Sequence, residues 1–349
     1  MQTGKRGAMV NVGVIGCGYW GPNLIRNFNG LPQVNLKTIA DLNEKRLHDV
    51  GLLYPNTRKS TNHQDILDDP EIEAVVVATP MSTHFPLGCE VLEAGKHLFL
   101  EKPMATTSED CRVLNRMAAE RNLQIMVGHT FVYTPAVRKI KSLMDSGELG
   151  DVYYVNISRV NLGIFQKDAN VVWDLAPHDV AMLNYLFGAY PSHVSANGRC
   201  YVQRELGIED VAFVTLEYPG GRLAHIHVSW LDPNKIRNCT FVGSRKMLVY
   251  DDVSQSEKIR VYDKGVDVQP HYHDYGEFQL LYRSGDIFVP RIDTTEPLKI
   301  ETQHFLDVIK GEQMNLSSGT EGEKVVKVLE GACESILADG RPIELDLDD

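Results

Sequence analysis

Cysteines are few in this sequence, and no two of the six form a C-x-x-C pair. Zinc sites and disulfide frameworks depend on clustered or regularly spaced cysteines. The spacing indicates neither, so we predict no metal. Buried free thiols are typical of a reducing compartment, and we expect the protein in the cytoplasm. The six residues are Cys17, Cys89, Cys111, Cys200, Cys239 and Cys333.

Long apolar runs and basic clusters are also missing. No run approaches the length that spans a bilayer, and no signal-peptide core precedes the first strand. The formal net charge is -12, with 35 Lys and Arg against 47 Asp and Glu. Nucleic-acid binding needs clustered Lys and Arg to neutralise phosphates. We therefore predict no membrane or nucleic-acid partner, although a local field can still hold a small anion.

The stretch Val10 to Gly21 organises the chain. A short β-branched run predicts a buried strand, which breaks at once into Gly16-x-Gly18-x-x-Gly21 before a helix that begins near Pro22. Gly16 allows the tight turn, Gly18 lets the backbone approach a pyrophosphate, and Gly21 lets the helix pack closely on the strand. The pattern predicts a dinucleotide site with an anion at the helix N-terminus.

A second alternating run, Val34 to Ala40, supports this interpretation, because it ends in Asp41. A dinucleotide fold places an acidic residue about twenty positions after the glycines, where it binds the ribose hydroxyls. The negative charge would repel a 2′-phosphate, so we expect NAD rather than NADP. Lys45 and Arg46 lie near enough in sequence to soften that preference.

The strand–helix pattern repeats up to about Gly128 and then changes. The first part predicts an α/β Rossmann domain, a doubly wound parallel sheet, over residues 9–130. After it, alternating runs joined by short turns, including Pro219-Gly220-Gly221, predict a mostly antiparallel open sheet with helices on one face, over 131–349. For about residues 252 to 297 we expect a strand or two and long loops.

Three ionisable side chains suggest chemistry beyond cofactor binding. Lys102 follows a buried strand, where a lysine is unexpected unless it faces a cleft. Asp174 and His178 are four residues apart, so a helix would place them on one face. Oxidising a secondary alcohol needs a base for the hydroxyl proton and a positive group beside the developing alkoxide. The alternatives are a helix N-cap for Asp174 and a hydrogen-bonded core position for His178.

Taken together, these residues resemble the glucose–fructose oxidoreductase/inositol dehydrogenase family, known as Gfo/Idh/MocA. The resemblance covers nearly the whole chain, from Val10 to about Leu345. The motifs that carry it are Gly16-Cys17-Gly18-Tyr19-Trp20-Gly21, Ala78-Thr79-Pro80 with His84, Glu101-Lys102-Pro103, and Trp173-Asp174-x-x-x-His178.

The resemblance implies a role for each matching residue. Lys102 and His178 would be the catalytic pair, assisted by Asp174, and the peptide bond before Pro103 would be cis. The expected NAD contacts are Gly16, Gly18, Tyr19, Trp20, Gly21, Asp41, Thr79, Pro80, His84, Glu101 and Lys102. The expected substrate contacts are Lys102, Tyr133, Arg159, Trp173, Asp174 and His178.

Some positions leave the interpretation open. The stretch His129-Thr130-Phe131 departs from many relatives, so the contacts there are not carried over. Tyr133 and Arg159 are equally consistent with packing or a surface pair. His271-x-His273 looks like part of a metal site but lacks further ligands. The pair His225-x-His227 shares one face of a strand and is typical of sheet surface.

Within the family, the glycine-loop and Trp173 motifs resemble the branch that oxidises C3 of a UDP-linked N-acetyl sugar. We therefore expect a UDP-N-acetylhexosamine or its uronic acid as substrate. The alternatives are an inositol or keto-sugar dehydrogenase of the same family, and a non-catalytic sensor that only binds cofactor. The second face of the predicted sheet needs a partner surface, which predicts a homodimer or homotetramer. Residues such as Val214, Leu216, Leu223 and Val228 would be shared between the two faces.

Overall fold

The structure is a computed structural model, and it describes residues 9–268 and 280–347. Two compact units are present. The first contains the chain up to Tyr133 together with Thr295–Lys327, and the second contains Thr134–Thr294 and the residues from Val328 onward. The predicted limits of 9–130 and 131–349 differ from these units mainly in Thr295–Lys327, and as functional domain limits they stay a prediction.

The first unit is built on a six-stranded parallel sheet in the order β3-β2-β1-β4-β5-β6. This is the doubly wound arrangement predicted from the sequence, with the carboxyl ends of all strands on one rim. Its strands are β1 (Val10–Ile15), β2 (Val34–Ala40), β3 (Arg58–Ser60), β4 (Ala74–Val77), β5 (His97–Leu100) and β6 (Ile125–Val127). Its helices within this part of the chain are α1 (Gly21–Asn29), α2 (Glu44–Leu53), α3 (Gln64–Leu67), α4 (His84–Glu93) and α5 (Ser108–Glu120).

Local chemistry explains where these helices begin. Helix α1 buries Leu24, Ile25 and Phe28, which share one face at helical spacing. Helix α5 is capped by Thr107, whose hydroxyl accepts from the Asp110 N–H at 3.1 Å. The sequence also offers a threonine with an acid three residues later at position 106. The cap forms one residue later, because Thr107 has the extended backbone that an N-cap needs.

A helix from late in the chain also belongs to the first unit. Helix α8 (Pro297–Ile309) places Phe305 edge-on against Phe28 and Phe99, with ring centroids 5.6 to 6.1 Å apart. Just before it, Glu296 forms a two-pronged ion pair with Arg26 of α1. The aromatic cluster and the ion pair hold α8 against α1 and β5. Helix α9 (Gly319–Leu337) follows α8 and continues into the second unit.

The second unit contains a nine-stranded sheet in the order β14-β13-β12-β11-β7-β10-β9-β8-β15. All neighbouring strands are antiparallel except β7 and β10. The strands are β7 (Val152–Val160), β8 (His193–Arg199), β9 (Val211–Tyr218), β10 (Arg222–Ser229), β11 (Ile236–Gly243), β12 (Met247–Asp251), β13 (Ile259–Val268), β14 (Leu280–Phe288) and β15 (Ile343–Glu344). The helices α6 (Pro135–Asp145) and α7 (Val171–Phe187) belong to the same unit.

The two faces of this sheet differ in polarity as a period of two requires. Val214, Leu216 and Val228 are buried, whereas Leu223 is 44% exposed. The four residues are therefore divided between the two sides, with Val214, Leu216 and Val228 on the covered face and Leu223 on the open face. The open face presents Leu223 together with other large side chains, among them Phe213 and Tyr154.

Candidate active site

The glycine-rich loop has the geometry that its pattern predicts. Gly16 has a positive φ of 106°, and a Cβ there would overlap the carbonyl oxygen of Ala78. A Cβ on Gly21 would overlap the carbonyl oxygen of Gly16. These two glycines are required by the protein's own backbone, which approaches too closely for any side chain.

Gly18 differs, because no described residue approaches closely enough to exclude a side chain there. The nearest atom to a Cβ built there is a guanidinium nitrogen of Arg46, at 4.0 Å. The first turn of α1 carries no acidic residue, and Trp20 at the N-cap makes no side-chain capping bond. Backbone N–H groups at a helix start that lack a side-chain acceptor suit an anion. The residues present therefore fit the pyrophosphate of a dinucleotide.

Asp41 lies at the end of β2 and contacts the glycine-rich loop. One carboxylate oxygen accepts from the Cys17 N–H at 2.6 Å, and the other accepts from the Asn43 N–H at 2.7 Å. Burial, and secondarily the Asp41 charge, raises the pKa of the Cys17 thiol to about 12. Cys17 is therefore a protonated packing residue, and the Asp41 carboxylate holds the loop through its backbone.

Both ring nitrogens of His84 lie within hydrogen-bond distance of backbone carbonyl oxygens. The side chain is buried, with one ring nitrogen 2.9 Å from the Thr79 carbonyl oxygen and the other 2.8 Å from the Pro103 carbonyl oxygen. It thus joins the loop after β4 to the loop after β5. Burial is the main cause that lowers the pKa of His84. In the structure His84 therefore connects these two loops, and its expected contact with the cofactor stays a prediction.

Glu101 and Lys102 follow β5 directly. The Lys102–Pro103 peptide bond is cis, as the resemblance implied. The Glu101 carboxylate is buried and accepts from the Lys102 N–H at 3.2 Å and from the Trp20 side chain. Burial raises the pKa of Glu101 to about 7, although the positive charge of Lys102 opposes the shift. The Trp20 bond ties the glycine-rich loop to the segment that carries Lys102, while the neighbouring Tyr19 is 90% exposed.

Helix α7 carries the second group of predicted catalytic residues. It begins at Val171, because the Asn170 side chain accepts from the N–H groups of Val172 and Trp173. Asp174 is thus inside the first turn, and the N-cap alternative for it is wrong. Asp174 and His178 are both partly exposed. Four residues along an α-helix, they share one face.

Further contacts within the second unit hold the side chains of Asp174 and Trp173 in place. The Trp230 indole donates to the Asp174 carboxylate at 2.9 Å. The Trp173 side chain hydrogen-bonds the Cys333 thiol. Asp174 is therefore a held carboxylate one helical turn before His178.

Arg159 forms a buried ion pair. Its Nε and Nη2 atoms donate to the two carboxylate oxygens of Asp179 at 2.8 and 2.6 Å, and both side chains are buried. Burial alone would lower the pKa of the Arg159 guanidinium, but the Asp179 carboxylate raises it above its ordinary value. The pair holds α7 on β7, next to His178, and the expected substrate contact of Arg159 stays a prediction.

Tyr133 also has a packing role. It is fully buried, its hydroxyl lies 2.8 Å from the Ser317 hydroxyl, and its ring lies 5.2 Å from that of His304. Ser317 and His304 come from the region of α8, which no pattern in the sequence places near Tyr133. Tyr133 thus packs within the first unit, and its expected substrate contact stays a prediction.

Two further histidine pairs stand out in the sequence, at positions 271 and 273 and at positions 225 and 227. His271 and His273 lie outside the described residues, and within those residues no group of three His, Cys, Asp or Glu side chains is placed to hold a metal ion. His225 and His227 lie on β10 and stack on Phe213, at 6.1 and 4.4 Å between centroids.

None of the described helices is long and apolar enough to cross a bilayer.

Comparison with known proteins agrees with this geometry. Residues 10–129 match the family model described as "Oxidoreductase family, NAD-binding Rossmann fold", and residues 137–249 match the "GFO/IDH/MocA C-terminal domain". The chain is 27% identical to the scyllo-inositol 2-dehydrogenase (NAD(+)) of Bacillus subtilis (strain 168), over 67% of this chain and 69% of that protein. The chain spans 61% to 69% of the length of the first curated relatives that it matches.

Solved structures share the fold. One is "GenD2 from gentamicin A biosynthesis in complex with NAD", with a TM-score of 0.80, 24% identity and 97% of both chains covered. Another is the UDP-N-acetylglucosamine 3-dehydrogenase GnnA from Acidithiobacillus ferrooxidans, with a TM-score of 0.78 and 23% identity over 95% of this chain and 98% of that one. At these identities the similarity concerns the fold alone.

Proposed function

Because the chain belongs to the Gfo/Idh/MocA family of NAD-binding oxidoreductases, we propose that it transfers hydride between NAD and a ring hydroxyl of a sugar or cyclic polyol. The observation that carries this proposal is the bond from the Trp20 side chain to Glu101. This bond links the cofactor loop to the segment bearing Lys102, and both lie at the rim of the parallel sheet. Bound NAD would supply the hydride acceptor.

In this proposal each ionisable residue has one task. His178 accepts the proton of the substrate hydroxyl as general base. The ammonium of Lys102 stabilises the developing alkoxide. Asp174, held by Trp230, orients the imidazole of His178. Lys102 lies in the first unit and His178 in the second, and their action on one substrate is part of the proposal.

For the substrate we propose C3 of a UDP-N-acetylhexosamine or its uronic acid. The motif resemblance supports it, and the name of one structure with the same fold, a UDP-N-acetylglucosamine 3-dehydrogenase, agrees. Binding energy from the remote nucleotide would align the reacting carbon. The second candidate is a cyclic polyol, which the inositol dehydrogenases among the curated relatives favour.

One experiment separates these candidates. Purified protein is incubated with NAD and, in turn, UDP-N-acetylglucosamine, its uronic acid and myo-inositol, while absorbance is followed at the reduced-nicotinamide band. Turnover of a nucleotide sugar supports the leading candidate, and turnover of inositol alone selects the second. Cofactor binding without turnover of any sugar or polyol would support the sensor alternative.

We also propose that Asp41 selects NAD over NADP, since its carboxylate suits a ribose diol and repels a 2′-phosphate. The guanidinium of Arg46 beside Gly18 acts in the opposite direction. Dissociation constants for NADH and NADPH test the balance, and tighter binding of NADPH would contradict the proposal. Asp41→Asn should narrow the difference between the two cofactors.

The assembly that we propose is a homodimer or homotetramer, formed in the cytoplasm through the open face of the second sheet. Its exposed apolar residues Phe213, Leu223 and Tyr154 support an interface there. Light scattering at micromolar concentration measures the mass, and Phe213→Asp with Leu223→Asp should shift it to the monomer. A wild-type monomer would contradict this assembly.

A further inference from the structure

Three buried groups of the first unit take no part in the proton and hydride transfer proposed above. Glu101 follows β5, His129 follows β6, and Glu301 lies on α8. All three side chains are buried. We call Glu101, His129 and Glu301 the acid cluster. Because buried polar atoms are normally hydrogen-bonded, a cluster that breaks this rule calls for a functional explanation.

The acid cluster breaks the rule at four atoms. Glu101 Oε1, Glu301 Oε1 and both ring nitrogens of His129 are buried and have no hydrogen-bond partner. The other oxygen of Glu301 accepts from the Thr130 hydroxyl at 2.8 Å. The cluster holds two carboxyl groups and lacks a full set of donors, so it cannot stabilise two negative charges.

Packing keeps Glu101 in this position. A Cβ built on Gly128 would lie 3.2 Å from the carboxyl carbon and both oxygens of Glu101. The carboxyl group thus rests on the backbone at the end of β6, with the Lys102 N–H and the Trp20 side chain as its donors. A side chain at position 128 would press on this carboxyl group.

Only one member of the cluster titrates near neutral pH. Burial, with the Glu101 charge adding to it, raises the pKa of Glu301 well above its ordinary value, so Glu301 stays protonated. Burial, and then the positive charge of Lys102, lowers the pKa of His129 to about 3, so His129 stays neutral. Glu101, with its pKa raised to about 7, is the group whose charge changes.

The position of Glu101 relates this charge to the cofactor. In a doubly wound fold the second half of the sheet, here β4 to β6, binds the second mononucleotide of a dinucleotide. In NAD the second mononucleotide carries the nicotinamide ring, which is positively charged when oxidised and neutral when reduced. With Glu101 protonated, the Lys102 ammonium would repel an oxidised ring bound beside it; with Glu101 ionised, that repulsion would be offset.

We propose that Glu101 couples binding of oxidised cofactor to release of one proton from the acid cluster, so that this enzyme selects NAD+ over NADH more strongly as pH rises. The proton leaves the Glu101 carboxyl for solvent, and no bond of the cofactor changes. Glu301 and His129 are positioning residues, because both are neutral and leave the positive charge of Lys102 to act on Glu101.

Calorimetry measures this coupling without any sugar substrate, so its result is independent of the proposed reaction. NAD+ and NADH are titrated into the protein in phosphate and in Tris, whose different ionisation enthalpies reveal proton exchange. Near pH 7 we expect the wild type to release a proton fraction with NAD+ and much less with NADH. The NAD+ dissociation constant should fall several-fold between about pH 6 and about pH 8.

Two isosteric variants locate the proton. Glu101→Gln should abolish both the proton release and the pH dependence of NAD+ affinity. Glu301→Gln is the matched control: it replaces a group that is already neutral and should keep both. The proposal is overturned if Glu101→Gln releases as much as the wild type, or if Glu301→Gln alone loses the effect. If Glu101→Gln binds neither cofactor, the wild-type series decides, and a pH-independent NAD+ affinity there would overturn the proposal.

Discussion

The two units of this protein each bury charged groups beside residues with a proposed catalytic role, and they do so in opposite ways. In the second unit Arg159 and Asp179 satisfy each other with two short hydrogen bonds. In the first unit the acid cluster leaves four polar atoms without partners. A paired charge keeps its protonation state and holds a helix, whereas an unpaired carboxyl shifts its pKa and can respond to a ligand.

The largest effects should follow from removing the residues that these buried groups support. Lys102→Ala or His178→Ala should lower turnover by roughly two to four powers of ten, because each removes a group that acts on the transferred proton or the alkoxide. NADH affinity should change far less, since the pyrophosphate and ribose contacts lie elsewhere. Steady-state kinetics with fluorescence titration of NADH measure both. Lys310→Ala, at an exposed lysine after α8, is the control. Near wild-type turnover in His178→Ala would assign that residue a structural role only.

Breaking the paired charges should cost stability. Asp179→Ala leaves the Arg159 guanidinium buried without its partner, and should lower the free energy of unfolding by roughly 3 to 5 kcal/mol. The double variant Arg159→Met with Asp179→Leu should lose much less, because no buried charge remains. Urea unfolding measures both.

The exposed Lys141–Asp145 pair of α6 provides the matched comparison. Lys141→Ala should change stability by less than about 1 kcal/mol. Equal losses from Lys141→Ala and Asp179→Ala would contradict the distinction between a buried and an exposed pair.

The acid cluster should lower the stability of the folded protein as pH rises. The folded-state pKa of Glu101, about 7, exceeds its ordinary value of 4.5, so folding favours the protonated form. This contribution is complete below about pH 4.5 and is lost as pH rises through about 7. Glu101→Gln without cofactor should therefore be more stable than wild type above pH 7, by up to about 3 kcal/mol. The advantage should vanish in acid, and a pH-independent difference in urea midpoints would contradict this origin.

The smallest expected effect concerns the start of α7. Asn170→Ala removes the side-chain acceptor for two backbone N–H groups and should cost roughly 1 kcal/mol of stability. Thr107→Ala, at the start of α5, should cost a similar amount. Only Asn170→Ala should also lower turnover, since α7 carries Asp174 and His178. Equal turnover in the two variants would show that the cap of α7 has no bearing on activity.

The two regions also differ in how far the sequence predicted them. The glycine-rich loop, Asp41 and the Glu-Lys-Pro triplet lie in continuous stretches, and the family that they indicated is confirmed by the two matches. The parallel sheet, the mostly antiparallel second sheet and two strands in the poorly patterned region from 252 onward agree with expectation. Asp174 and His178 share one helix, as their spacing predicted.

What the sequence missed depends on residues far apart in the chain. Tyr133 and Arg159 were equally consistent with packing, and only the structure places them beside Ser317 and Asp179. Glu301 carries no local signal, because a glutamate inside a helix is typical of an exposed face. The buried phenylalanine cluster places α8 in the first unit, and thereby places Glu301 with Glu101.

By itself, the sequence determined the dinucleotide loop, the fold class, the family and the type of residue available for hydride chemistry. Those properties follow from local backbone geometry and from periodicity, which neighbouring residues specify. Only the tertiary structure decided which charges are paired and which are left to titrate. Burial and partnership are set by long-range packing, and a pKa depends on the surroundings of a group rather than on its neighbours along the chain.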